Sequence, residues 1–199
     1  MDIKKISDNE KEIIINKYGT FTIEEVENPH SKFYVGVLDR FSRPLNIEEA
    51  NNLIISYNPS EIETQSKYFE EEVKFLSFFQ YAYELNYGKP VYVYCPDIFT
   101  LRGKAYSGII NTFSEIDKKL LKKLQKNMEI KDSVFAVENK DLLNLFAKLS
   151  VRELCFSNFF FDTSVIIGNY EMSFPIYCLD ELSMISYNKK ATEIGLFIR

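Results

Sequence analysis

For thiol or imidazole chemistry this chain offers three cysteines, Cys95, Cys155 and Cys178, and one histidine, His30. A thiol nucleophile needs a base within hydrogen-bond reach, so Cys95 with His30 is the pairing to weigh. Cys95 closes the run VYVYC, where it shares a strand face with Val91 and Val93. A free Cys on an apolar face is a core residue more often than a nucleophile. His30 stands in a loop beside Pro29 and reads as a surface residue. The three cysteines form no CxxC pair, and one imidazole cannot complete a structural zinc set. Their odd number and wide spacing point to a reducing, cytoplasmic setting.

Phosphate chemistry would need a glycine-rich loop, and the nearest approach is RGKAYSG, Arg102 to Gly108. A P-loop requires an earlier Gly and a Ser or Thr directly after its Lys. Here Ala105 follows Lys104. The stretch from Pro96 to Thr112 therefore reads as a long connector with a binding role, carried by Arg102 and Lys104. Carboxylates are numerous, but no pair is marked out as the two carboxyls of a glycosidase. No catalytic residue, metal or cofactor is expected.

Charge is laid out unevenly. The whole chain of 199 residues carries 24 Lys+Arg against 29 Asp+Glu, a net charge of -5. Between Asn46 and Asn86 stand Glu48, Glu49, Glu61, Glu63, Glu70, Glu71, Glu72 and Glu84 against Lys67 and Lys74. Helix first turns account for Glu48, Glu49, Glu61 and Glu63, because the helix dipole favours anions there. Mid-helix Glu70, Glu71 and Glu72 form either a solvated face or a docking surface that steers a basic partner. Lys118, Lys119, Lys122, Lys123 and Lys126 make the polar face of a later helix. A sequence pI near 5.1 speaks against a dedicated nucleic-acid protein.

The elements that must hold these residues follow from periodicity and capping. Ile13 and Ile15, then Phe21 and Ile23, alternate about Tyr18-Gly19, which predicts a hairpin over Glu12 to Val26. Phe33 to Leu38 reads as a strand. Asn46 with Glu49 has capping-box spacing and opens a helix, and Asn58-Pro59 opens a second that runs to about Leu85 before Asn86-Tyr87-Gly88. Val91 to Cys95 is a strand. Ser114 with Asp117 opens the Lys-rich helix, Ser133–Val137 is a short strand, and Asn139 to Leu149 a helix. Leu154 to Phe161 is apolar enough for a strand covered on both faces, and Val165–Ile167 turns at Gly168-Asn169 into an alternating strand to Cys178. Pro175 cannot donate to a ladder, which predicts an edge position for that last strand. Leu182–Ser186 reads as a further short strand, and alternating Ile194, Leu196 and Ile198 tie the C-terminus into the sheet.

The order predicts one α+β domain over 1–199: an N-terminal β-hairpin and strand, central helices, and C-terminal antiparallel strands in a mixed or antiparallel sheet. No stretch has the ~20 apolar residues of a membrane span. Thirteen Tyr and seventeen Phe promise a large core, with some Tyr left for an interface. The expectation is a non-enzymatic cytoplasmic binding or inhibitor protein. Its most specific form is a bacterial immunity protein that neutralises a toxin domain, a basic nuclease being one candidate. Its partner-binding residues would be Glu63, Glu70, Glu71, Tyr92, Tyr94, Arg102 and Lys104. The alternatives are a small hydrolase or transferase with a carboxylate or Cys95 site, and a virus- or mobile-element-encoded modulator of a host.

Overall fold

The structure, a computed structural model, describes residues 4–19, 33–55, 62–99, 101, 110–126 and 134–199. Among them are six helices: α1 (Asp8–Tyr18), α2 (Ile47–Leu53), α3 (Ile62–Leu85), α4 (Glu115–Lys126), α5 (Lys140–Val151) and α6 (Glu181–Glu193). The strands are β1 (Lys4–Lys5), β2 (Tyr34–Asp39), β3 (Val91–Tyr94), β4 (Val134–Val137), β5 (Asn158–Phe160), β6 (Ser164–Ile167), β7 (Phe174–Cys178) and β8 (Phe197–Ile198). They form one sheet in the order β1-β4-β3-β5-β6-β7-β2-β8, every pairing antiparallel. The fold is α+β. Both edge strands are only two residues long.

Strand alternation divides the interior into two cores. Val91, Val93, Phe135, Phe159, Ile166, Phe174 and Ile176 face α3, α4, α5 and α6. Their neighbours Val134, Ala136, Phe160, Val165, Ile167 and Tyr177 face the other way and pack with Ile14 and Tyr18 of α1. With both faces covered, β4, β5 and β6 are buried at every residue. This is why those runs are apolar without alternation. No helix among the described residues is long and apolar enough to cross a membrane.

The largest correction to the sequence reading is at the N-terminus, where residues 8–18 are helical and no hairpin begins. Ser7 and Glu10 close a capping box in both directions, and Gly19 is not a hairpin turn but the left-handed C-cap, φ 88°. The Ile13/Ile15 alternation that suggested a strand is inverted: Ile14 is buried while Ile13 and Ile15 are exposed. The remainder of that expected hairpin, residues 20–26, lies outside the described residues, as do Asn58 and Pro59.

Three further expectations are corrected. Leu182–Ser186 lies in α6, because Asp180 accepts from the Ser183 N–H at 2.8 Å and starts a helix. Only 158–160 of the expected Leu154–Phe161 strand is extended, since Leu154 N–H still bonds back to Leu149 O as α5 unwinds. Pro175 is not at an edge, for β7 lies between β6 and β2. Its opposite residue on β2, Val37, exchanges both backbone bonds with Arg199 on the far side. By the antiparallel rule Pro175 therefore points its nitrogen toward β6, beyond the last β6–β7 pair at Ile166↔Ile176. The missing N–H falls where the ladder has ended.

The helices from Asn46, Ser114 and Asn139 begin at their expected caps. Arg199 holds β8 against β2 through its backbone and through a salt bridge to buried Asp39 at 2.9 Å.

Candidate functional site

A cavity of about 240 Å³ opens between α1 and the sheet. Its formation starts from Asn86, which ends α3. The buried Asn86 amide donates to the carbonyls of Lys89 (2.8 Å) and Pro90 (3.2 Å), clamping the turn into β3. Its Oδ1 accepts the Asp162 N–H at 2.6 Å, so the same side chain fixes the β5–β6 turn. Across the opening, the Tyr18 hydroxyl of α1 lies on the carbonyls of Phe161 and Asp162. Helix, turn and sheet are thereby joined around one rim.

The rim carries charge. Asp162 accepts from Lys17 Nζ at 2.7 Å and from Lys89 Nζ at 2.5 Å. These two ammoniums hold the Asp162 carboxyl below its ordinary range. The walls are apolar: Ile13, Ile14, Pro90, Phe160 and the ring of Tyr92. The Tyr92 hydroxyl meets Glu10 at 3.0 Å, and burial together with that carboxylate pushes it up to about 12. Burial, with Asp162 second, also raises Tyr18. Both phenols therefore stay protonated donors at neutral pH.

The residues singled out from the sequence do not assemble into one surface. Tyr92 and Tyr94 belong to the core facing α1. Glu70 and Glu71 are on α3, which packs against the opposite face of the sheet. Glu70 is exposed, and Glu71 is in an ion pair with Lys74 at 2.8 Å. The side chain of Glu63, and Arg102 and Lys104 entirely, lie outside the described residues. Part of the acidic excess is consumed internally. Arg43 holds the Glu49 carboxyl at about 2 while Glu49 also caps α2, and Glu84 pairs with Lys140.

The third of the adjacent glutamates was not distinguishable from the other two by composition. Glu72 is buried in a two-bond ion pair with Arg152, Nε–Oε2 2.5 Å and Nη2–Oε1 2.8 Å. The available signal is position: in α3 Glu72 shares the helix face of Tyr68, Phe75 and Phe79 at i−4, i+3 and i+7.

The thiols are all free and buried. Cys95 Sγ lies 3.4 Å from Cys155 Sγ. The Cys155 thiol is raised by that contact and by burial, and burial pushes Cys178 up to about 12. Neither of these two is a thiolate at neutral pH. His30, the base considered for Cys95, lies outside the described residues. Among the described residues no group of His, Cys, Asp and Glu is placed to hold a metal ion.

No protein-family model, curated protein or solved structure matches the chain.

Proposed function

We propose that the chain, acting as a single α+β domain in the cytoplasm, is a non-enzymatic binding protein of the inhibitor type. In its most specific form it is an immunity protein that covers a basic toxin domain. The observation that carries the reading is on the outer side of α3. Glu70 is exposed and makes no ion pair or hydrogen bond among the described residues, and Val73, one turn on, is 63% exposed. A carboxylate beside an uncovered apolar side chain suits a partner surface that is basic and partly apolar. The alternative with chemistry at Cys95 has less support, because that sulfur is fully buried against Cys155.

The test is co-expression with the product of the gene directly upstream. Wild-type chain is expected to restore growth that this product alone suppresses. With the purified pair, Glu70→Lys is expected to slow association and flatten its dependence on salt, leaving the fold intact, because rim charges act on the on-rate. Failure to restore growth, or an unchanged association rate, would remove the support for this reading.

A further inference from the structure

We infer that Cys95 and Cys155 form a redox site, two thiols held in contact so that glutathione disulfide converts them into a bridge within the folded protein. This goes beyond the proposed binding function and depends on neither Glu70 nor Val73.

Geometry sets the pair apart. Cys95 follows the last residue of β3, and Cys155 stands in the turn between α5 and β5. Their sulfurs lie 3.4 Å apart, and both residues are free thiols. A disulfide measures about 2.05 Å, so closing it asks for about 1.4 Å of approach, within reach of small side-chain rotations. The turn that carries Cys155 is itself held in place. The Ser150 hydroxyl donates to the Cys155 carbonyl at 3.3 Å and accepts the Ser157 N–H at 3.0 Å. Cys178 is the built-in control. It ends β7, and β5 and β6 lie between β7 and β3 in the sheet. Three strand spacings of about 4.8 Å put it about 14 Å from the line of β3. That is twice the ~7 Å beyond which two cysteine Cα atoms cannot be bridged without backbone movement.

The chemistry is two successive displacements. One protein sulfur, as its thiolate, attacks a sulfur of glutathione disulfide; that S–S bond breaks and one glutathione leaves as its thiolate. The second protein sulfur loses its proton and attacks the first, expelling the other glutathione. Both protons end on glutathione thiols; the protein loses two electrons and glutathione disulfide gains them. Held contact makes the second displacement intramolecular. Burial slows the first step, since a sulfur must be briefly uncovered, but it leaves the equilibrium constant alone.

That equilibrium constant carries the signature of the contact. Whatever factor folding adds to bridge formation, the bridge adds to folding. The two cysteines are 60 positions apart, so the bridge closes a loop containing α4, β4 and α5. A disulfide of fitting geometry across such a loop favours the folded chain by about thirtyfold or more.

The experiment brings the chain to equilibrium in glutathione buffers of graded thiol-to-disulfide ratio at neutral pH. Equilibrium is approached from the reduced and from the oxidised side, both in buffer and in unfolding urea. After an acid quench, free thiols are blocked and linked peptides are identified by mass spectrometry. In buffer, a Cys95–Cys155 bridge should form while Cys178 stays a thiol. Its equilibrium constant should exceed that in urea by about thirtyfold or more, and the oxidised protein should have the higher urea midpoint. Cys178→Ala should leave the bridge unchanged, and Cys155→Ala should abolish it. An equilibrium constant no larger in the folded chain than in urea would overturn the inference. So would glutathione adducts in place of the bridge, a bridge that includes Cys178, or a lower urea midpoint for the oxidised protein.

Discussion

Arg152→Met should be among the most damaging single substitutions in this protein. The guanidinium sits at the end of α5, where it bonds Glu72 twice and Thr112 Oγ1 at 2.9 Å. It also lies over the rings of Phe113, at 4.3 Å, and Phe69, at 5.1 Å. The Arg152 and Glu72 side chains are 4% and 6% exposed, so water does not screen them. Removing one partner leaves a buried charge without its counter-ion, which costs about 3–5 kcal/mol. Loss of the desolvated ring contacts adds up to about 2 kcal/mol. Domains are stable by only about 5–15 kcal/mol, so about a fifth or more of the total is at stake. At about 2–4 °C per kcal/mol for a chain of this size, a 3–5 kcal/mol loss lowers the melting temperature by about 6–20 °C.

The assay is urea unfolding followed by far-UV circular dichroism on wild type, Arg152→Met, Glu72→Leu and the double variant. Each single change should be severe. The double change should recover most of the loss, because replacing both members of a buried pair with apolar groups is often neutral or stabilising by about 1–4 kcal/mol. A single-variant loss below about 1 kcal/mol, or single losses that simply add, would refute the argument.

Other expected outcomes follow from the same contacts. Asp162→Asn should lower the urea midpoint at neutral pH, and the difference from wild type should vanish in acid. The folded carboxyl is depressed by Lys17 and Lys89, so its contribution is full above the unfolded value of about 3.9 and is lost as pH falls through the lower folded value. A difference that persists unchanged at the acid end would mean that Asp162 acts by packing. Thiol reagents should modify Cys95, Cys155 and Cys178 slowly without denaturant and quickly in urea, because all three are buried; fast native labelling of Cys95 would reopen a nucleophilic role. Gly168→Ala should destabilise by about 1–3 kcal/mol, since its Cβ would stand 2.8 Å from Ser157 N and 3.0 Å from Ser150 Oγ. Wild-type stability in that variant would show that the Ser157 backbone yields easily.

What the sequence disclosed depended on whether a local signal stood alone. Asn46 with Glu49 and Ser114 with Asp117 mark helix starts, and both boxes close in the structure. Ser7 with Glu10 has the same spacing, but the hairpin expectation rested on the Ile13/Ile15 alternation alone. Three consecutive β-branched residues fit either period, and burial of Ile14 and Tyr18 four apart decided for the helix. Pro175 misled for a different reason. Its missing donor excludes a fully bonded ladder site but not a place in an interior strand one residue past the final β6–β7 pair. Register between strands is a tertiary property, and no local pattern near Pro175 contains it. The cavity was beyond sequence reach because its wall comes from the helix that had been read as a strand. Tyr92 was singled out as an interface residue and does line it, but Lys89 and Asp162 are 73 positions apart and meet only through the turn that Asn86 fixes.

The sheet then separates residues that the sequence reading had placed on one binding surface. Glu70 and Val73 lie on the outer side of the helix layer, while Tyr92 and the lysine-rimmed cavity lie beyond the opposite face. A partner of ordinary interface size covers about 800 Å² on one side of a domain, so it cannot touch both. Substitutions in the two regions share no contact and should act independently, since distant sites add to within about 0.3–0.5 kcal/mol. Ile13→Trp should therefore leave protein association unchanged. Coupling between them would require α1 to move relative to the sheet. The Tyr18 hydroxyl on the 161–162 carbonyls and the Lys17–Asp162 bridge are the contacts such a movement would have to break.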